Sequence, residues 1–309
     1  MSNFFIRELG LSRVFKLPIT EERYACLKGA VGVQVEGLYL EQKYDFVVEN
    51  YLEFEQAILK CGLDQMVRDQ GEWGYFENKA LFNRRVMNFL TAYRSYDDGC
   101  RSHLLKIFNR DKTRVRALQN EFSKQYDSRV GYWAIPALRN YVQHQGFAVH
   151  SMSYSGRWML NDEGEDRNRY MIDLHVIQKE LELGKFNSSV REKISRMNEK
   201  VDVKFLIRDF MDGFSQAHVS NRSAVDERLS ESRAELNRVR DEFMLASGYD
   251  AVRPIVAYRD GEADSMCSLG TVAEDQRKYL VKKNRRLSNL ALRYVTNQIS
   301  SGDVVRSDG

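Results

Sequence analysis

Apolar residues return at helical spacing over long stretches of this chain, and little interrupts them. Only three prolines occur among its 309 residues, Pro18, Pro136 and Pro254. Proline breaks a helix interior because it lacks a backbone N–H group and its ring clashes with the preceding turn. Between the prolines, apolar side chains recur every three or four positions, the pattern of a helix with one buried face. The sequence therefore predicts a mainly α fold, an antiparallel helical bundle.

The helical pattern is strongest in five segments. They span about 41–60, 78–108, 112–128, 188–198 and 202–246. Residues 23–40 fit either a strand or a helix, and residues 63–77 have the character of a connection. Pro136 marks a break or a first-turn position, so a short helix is predicted over Ala137–His144, ending before Gly146.

Shorter elements complete the outline. Residues 147–154 and 170–176 have the pattern of strands, which the polar run 161–168 joins into a β-hairpin. A short strand is predicted at 255–258. A capping box over Thr271–Glu274 would satisfy free backbone N–H groups and open a last helix, to about Ser300, before a frayed tail.

These patterns divide the chain into three parts. Residues 1–40 form an N-terminal extension, and residues 41–246 form a helical domain with the β-hairpin inserted at 147–177. Residues 247–309 form a C-terminal helical extension.

Composition limits the classes of function. Charged residues make up 29% of the chain but the formal net charge is only +3, so nucleic-acid binding would depend on local basic patches. The four cysteines lack the spacing of a zinc site or a disulfide framework, and Walker, GxGxxG, GxSxG and HExxH motifs are absent. We therefore expect no metal and no cofactor. No apolar stretch reaches transmembrane length and the N-terminus lacks a signal-peptide core, so a cytoplasmic protein without a membrane partner is expected.

The segment from Arg139 to His144 carries the clearest chemistry. It places a guanidinium, the amide of Asn140 and an imidazole within one and a half helical turns. Asn140 and His144 are four residues apart and share a helix face. A phosphodiester needs such a set, because a permanent cation neutralises phosphate oxygens and a group that titrates near neutrality moves protons.

This segment resembles the RxxxxH signature of the HEPN superfamily (higher eukaryote and prokaryote nucleotide-binding), many of whose members are ribonucleases. Asn140 fits the polar residue that commonly follows the arginine, and the resemblance covers roughly residues 40–246. It implies metal-independent RNA cleavage, with His144 as general acid or base, Arg139 stabilising the phosphate charge, and Asn140 orienting the phosphate or the imidazole. It further implies a symmetric homodimer whose two motifs face each other, and a toxin or antiphage-defence role.

Helix geometry leaves a second interpretation open. Arg139 and His144 lie about 140° apart on an ideal helix, so they converge only if the helix start is distorted or a partner subunit contributes. Alternatively, Arg139 pairs with a carboxylate and His144 interacts with the helix C-terminus, where a cation is favoured. The chain would then be a non-catalytic dimerisation or regulatory module, and an antitoxin or regulatory protein is a further candidate partner.

Two basic clusters are candidate RNA-binding surfaces, through phosphate contacts. The first contains Arg110, Lys112, Arg114 and Arg116, and the second contains Lys278, Lys282, Lys283, Arg285, Arg286 and Arg293. A solvated helix face is the commoner explanation for such runs.

Other residues near the motif receive structural interpretations. His150 and His175 could extend the site next to His144, but a cross-strand pair on the hairpin is the favoured interpretation. Core packing is favoured over base stacking for the aromatic residues around the motif, which are Tyr132, Trp133, Tyr141, Tyr154 and Trp158. Asp97 and Asp98 are expected on the surface or in salt bridges.

Overall fold

Two long antiparallel helices form the frame of the fold. The computed structural model describes residues 3–10, 15–68, 71–160, 166–249, 254–261 and 265–296. Helix α1 begins after Thr20, whose hydroxyl accepts the Arg23 N–H at 3.1 Å, and two glutamates in its first turn complement the helix dipole.

The helices within these ranges are α1 Glu21–Val67, α2 Gly71–Ile107, α3 Lys112–Ser128, α4 Val130–His144, α5 Gln178–Glu182, α6 Ser188–Ser195, α7 Val203–Ser247 and α8 Val272–Lys283. The strands are β1 Phe4–Glu8, β2 Lys16–Ile19, β3 Ser151–Leu160, β4 Asp166–Ile177, β5 Lys200–Asp202, β6 Ile255–Arg259 and β7 Cys267–Ser268. The protein is therefore mainly α, as the sequence predicts.

Helix α7 completes the bundle by packing along α1 and α4, and aromatic rings fill the space between the helices. Phe210 and Phe214 of α7 are fully buried and stack with their ring centroids 5.3 Å apart. Tyr93 and Tyr96 of α2 meet these rings edge-on, at 4.7 Å in each case. Edge-to-face pairs of this kind add to the stability that burial alone provides.

The predicted hairpin is part of a three-stranded antiparallel sheet in the order β3-β4-β5. Its strands pair from Ser151↔His175 to Leu160↔Asp166, and β5 adds to the other edge of β4 through His175↔Asp202. The hairpin prediction is confirmed, although β3 starts four residues later than predicted. Residues 161–165 of the predicted loop lie outside the described ranges.

A second sheet combines the two strands that precede α1 with the two strands between α7 and α8, in the order β2-β1-β6-β7. Strand β1 pairs antiparallel with β6, from Phe4↔Arg259 to Glu8↔Ile255. Its apolar face packs on the start of α1 and the end of α7, forming a small core separate from the main one. The buried members of this core are Ile6, Leu27, Ala30, Leu236, Val239, Phe243, Ile255, Ala257 and Leu269. Of these four strands, only β6 was predicted. Helix α1 runs without a break across residue 40, the predicted limit of the N-terminal extension. The division of the chain into three parts stays a prediction.

Several predicted boundaries were wrong. Helix α4 starts at Val130 and contains Pro136, because burial of its first turns against α7 outweighs the one backbone hydrogen bond that proline removes. The predicted connection 63–77 is largely helical. Thr271 forms no side-chain cap, and α8 ends at Lys283 instead of near Ser300. Residues 297–309, which include the predicted frayed tail, lie outside the described ranges.

Gly131 allows α4 to cross α7 at close range. A Cβ atom at this position would lie 2.3 Å from the Leu206 carbonyl oxygen and 2.6 Å from the Phe210 nitrogen. Gly131→Ala is therefore expected to lower the free energy of unfolding by about 1–3 kcal/mol, because α4 must move away from α7.

The matched control is Gly29→Ala in the interior of α1, where an added Cβ meets nothing within 4 Å. It is expected to raise the free energy of unfolding by about 0.5–1 kcal/mol, because glycine is unfavourable inside a helix. Urea denaturation measures both. Equal stability of the two variants would show that α4 and α7 are farther apart than described.

Candidate functional site

The outer face of α4 presents the residues that the sequence singles out. His144 and Gln143 are exposed, Arg139 and Asn140 are half-buried, and the opposite face of the helix is buried. With about 100° per residue, Asn140 and Gln143 lie near the middle of this face, and Arg139 and His144 lie at its two edges. We call these four residues the α4 stripe.

Contacts on the buried side fix the orientation of α4. At its start, the Asp209 carboxylate of α7 accepts the Gly131 N–H at 2.7 Å and binds the Arg129 guanidinium at 3.0 Å. The amide of Asn140 donates to the Lys185 carbonyl at 2.8 Å, which ties the stripe to the segment between α5 and α6. Asn140 therefore has a structural partner, whereas the family resemblance implied that it would orient the phosphate or His144.

The side chains of Arg139 and His144 form no hydrogen bond or ion pair with any residue in the described ranges. The alternative in which a carboxylate neutralises Arg139 thus finds no partner in that part of the chain. His144 lies in the last turn of α4, where a cation interacts favourably with the helix dipole, but the cap position belongs to Gln145. Both edges of the stripe remain available to a ligand.

The ring of His150 meets the buried Tyr141 ring of α4 edge-on at 5.3 Å. Its Nδ1 accepts the Ile177 N–H at 2.8 Å, and its own backbone N–H donates to the His175 carbonyl at 2.9 Å. Burial lowers the pKa of His150, against the opposing effect of Glu180. The two histidines are therefore joined across the hairpin by a backbone hydrogen bond.

The other expectations for neighbouring residues differ in outcome. Tyr132, Trp133 and Tyr141 are buried in the main core, as predicted, whereas Trp158 is 69% exposed near the end of β3. Asp97 and Asp98 both pair with Arg94, which confirms the salt-bridge interpretation.

The first basic cluster lies far from the α4 stripe. The chain that leaves α4 reaches α2 at Asn83, which accepts the Val149 N–H at 2.8 Å. Lys112 instead lies beside Arg101, at the other end of α2. Because the helix rises 1.5 Å per residue, Asn83 and Arg101 are about 27 Å apart along α2.

The members of this cluster have different surroundings. Arg114 binds Glu227 at 3.3 Å and covers the Phe108 ring at 4.3 Å. Arg110 is exposed on the connection to α3 and has a left-handed backbone, with φ at 66°.

The second basic cluster is only partly on a helix. Lys283 binds Asp45 and Glu49 of α1 at 2.8 and 2.7 Å, and its side-chain hydrogen bonds to these carboxylates raise its pKa. Its charge is neutralised within the bundle, so Lys283 is a poor candidate for phosphate binding. Arg285 and Arg286 are exposed but follow the end of α8, so they do not extend a helical basic face as the sequence suggested.

A buried ionic network connects α1, α2 and α7, and it was not predicted from the sequence. Glu41 is 1% exposed, and it accepts two hydrogen bonds from Arg222, at 2.7 and 2.8 Å, and one from His218 at 3.1 Å. The Tyr96 hydroxyl donates to the other nitrogen of His218 at 3.0 Å, and the Tyr44 ring stacks on the imidazole at 3.8 Å.

The network fixes the charges of its members. Burial alone would raise the pKa of Glu41, but the hydrogen bonds from His218 and Arg222 outweigh burial and hold the pKa at about 2. Burial lowers the pKa of His218 despite the carboxylate beside it. A neutral His218 therefore donates to an ionised Glu41, whose charge Arg222 balances.

Comparisons with known proteins add no relative. No family model, no curated protein and no solved structure matches this chain. Within the described ranges, no helix is long and apolar enough to cross a membrane. In the same ranges, no group of three or more His, Cys, Asp or Glu side chains is placed to hold a metal ion.

Proposed function

We propose that this chain is a metal-independent endoribonuclease of the HEPN type that acts as a homodimer. The observation that carries the proposal is the α4 stripe, in which Arg139 and His144 border one outward face and neither is engaged by another described residue. By contrast, Arg222 and His218 are held by Glu41 in the buried network, so they are not available to a ligand.

The chemistry follows from the two side chains. The 2′-hydroxyl of RNA attacks the adjacent phosphorus, so that a bond from O2′ to phosphorus forms and the bond from phosphorus to O5′ breaks. His144 either takes the proton from the 2′-hydroxyl or gives one to the departing O5′, since an imidazole exchanges protons near neutrality, and water carries the other proton. Arg139 binds the phosphate oxygens on which negative charge builds in the transition state. The products are a cyclic phosphate and a free 5′-hydroxyl.

A second copy of the chain completes the site in this proposal. Because Arg139 and His144 of one helix diverge by about 140°, they do not converge on one phosphate from the same subunit. If two stripes face each other around a two-fold axis, Arg139 of one copy meets His144 of the other.

The proposed setting is the cytoplasm, and all four cysteines being free supports a reducing compartment. A toxin or antiphage-defence effector, controlled by an antitoxin or a regulatory protein, is the corresponding biological role.

The test is cleavage of RNA in the presence of EDTA. The purified chain incubated with total RNA is expected to release fragments that carry 2′,3′-cyclic phosphates and 5′-hydroxyls, which end-specific labelling distinguishes from 5′-phosphates. Addition of Mg²⁺ is expected to leave the cleavage rate unchanged, because no step requires a metal. Products with 5′-phosphates, or activity only with Mg²⁺, would contradict the proposal.

One observation favours a second candidate, a non-catalytic dimerisation or regulatory module. The amide of Asn140 is held by the Lys185 carbonyl, and Phe147 and Leu183, close in sequence to these two residues, are 63% and 66% exposed. Exposed apolar side chains of this size suit a protein contact. A dimer that cleaves no RNA under the conditions above would favour this candidate.

A further inference from the structure

We propose a separate binding site for the phosphate groups of a nucleotide, in a cleft between the end of α2 and the start of α3. The cleft has a volume of about 380 Å³, which lies in the range of small-ligand sites. Its lining residues, which we call the α2–α3 cleft, are Arg101, Leu105, Lys112, Val115, Arg116 and Gln119.

Three cations line this cleft. Arg101, Lys112 and Arg116 form no ion pair with any residue that the structure describes. Nearby cations are neutralised, since Lys106 binds Glu36 at 2.8 Å and Arg114 binds Glu227 at 3.3 Å. Like charges around one concave surface repel each other and raise the local concentration of anions.

The start of α3 adds positive charge to the cleft. Acidic side chains are favoured in a first turn because the N-terminal end of a helix carries partial positive charge. The first turn of α3 contains no acidic residue, and Lys112 occupies its first position, with only the cap residue Asp111 offsetting the charge. A bound anion would interact favourably with the N-terminal end of the helix dipole and would reduce the repulsion between the three cations.

The remaining lining residues indicate what accompanies the anion. Val115 is buried and Leu105 half-buried, so they give the cleft an apolar floor, and Gln119 adds an amide that can both donate and accept. A flat base with an attached sugar phosphate matches an apolar floor bordered by guanidinium and ammonium groups. The ligand is therefore the phosphate-bearing unit of a nucleotide, either free or within an RNA strand. The site is distinct from the α4 stripe, because Arg101 lies about 27 Å along α2 from Asn83, which the chain leaving α4 contacts. Binding there does not depend on cleavage.

The experiment measures binding of a labelled eight-residue 2′-O-methyl oligouridylate by fluorescence anisotropy, with UMP, uridine and inorganic phosphate as competitors. This probe lacks the 2′-hydroxyl that the proposed cleavage requires, so the result is independent of catalytic activity. The double variant Arg101→Gln and Arg116→Gln is expected to bind the probe at least about tenfold more weakly. The slope of log affinity against log salt concentration should become shallower by roughly 0.7 for each phosphate that the variant no longer neutralises.

The control variant removes the same charge elsewhere. Lys28 and Arg240 are exposed on α1 and α7, so Lys28→Gln with Arg240→Gln should leave the dissociation constant within about twofold. Circular dichroism verifies that both variants are folded. Displacement of the probe by UMP but not by uridine supports a site for a free nucleotide. Weaker probe binding by the Arg101→Gln and Arg116→Gln variant alone, without displacement by UMP, supports a site for an RNA strand. Equal weakening in both double variants, or no binding by the wild type, would overturn the proposal.

Discussion

Replacing Glu41 by alanine is expected to lower the free energy of unfolding by about 3–5 kcal/mol, the range observed when one member of a buried ion pair is removed. The substitution leaves the Arg222 guanidinium without its two carboxylate contacts and leaves an unpaired His218 nitrogen at a position that is 0% exposed. Stability is lost because these buried donors have no acceptor, as well as because the attraction to the Glu41 carboxylate is missing. Urea denaturation followed by circular dichroism gives the magnitude.

Glu53→Ala is the matched control. Glu53 is also a glutamate of α1 that pairs with an arginine, but its side chain is 47% exposed. An exposed pair contributes at most about 1 kcal/mol, so this variant should remain close to the wild type. If both variants are destabilised by the same small amount, water reaches Glu41 and the network is not buried.

Replacing His144 by alanine is expected to reduce the rate of RNA cleavage by roughly 10²–10⁴-fold, the usual contribution of general acid–base catalysis. Arg139→Ala is expected to reduce the rate by roughly 10²–10³-fold, comparable to the removal of a donor that stabilises transition-state charge. Both side chains lie at the edges of an outward face, so the thermal unfolding midpoint should change little. The rates are measured with a fluorogenic RNA in EDTA.

Arg240→Ala provides the control for these two variants, since Arg240 is an exposed arginine near the end of α7. Its cleavage rate should equal that of the wild type. Activity that survives both His144→Ala and Arg139→Ala would assign the cleavage to another site or to a contaminant.

Helical periodicity predicted the frame of the fold because it is a local property. The predicted limits of α3 match the structure, and those of α7 agree within one residue at each end. The hairpin followed from alternating residues on both sides of a polar run. Each of these elements depends on residues close in sequence, so one stretch of chain is sufficient to identify it.

The missed features depend on contacts between distant parts of the chain. Strand β1 pairs with β6 across about 250 residues, and neither strand has a turn signal that points to the other. Pro136 seemed to start a helix because the tertiary contacts that keep α4 helical on both sides of it are invisible in sequence. Glu41 and His218 are 177 positions apart, so no spacing rule brings them together.

The candidate site shows the same division. The positions of Arg139 and His144 on α4 and their angular separation could be predicted from the sequence, whereas the contact of Asn140 with Lys185 could not. The sequence also grouped Lys112 with Arg110, Arg114 and Arg116. Only the three-dimensional fold brings Arg101 of α2 beside Lys112 and Arg116 in one cleft.

The most direct test of the proposed composite site is complementation between two inactive variants. Arg139→Ala and His144→Ala chains, each carrying a different affinity tag, are co-expressed and purified through both tags so that only mixed dimers remain. A site built from Arg139 of one copy and His144 of the other predicts that the mixed dimer regains cleavage through its one intact pair. A mixed dimer that is stable yet as inactive as either parent would contradict the account.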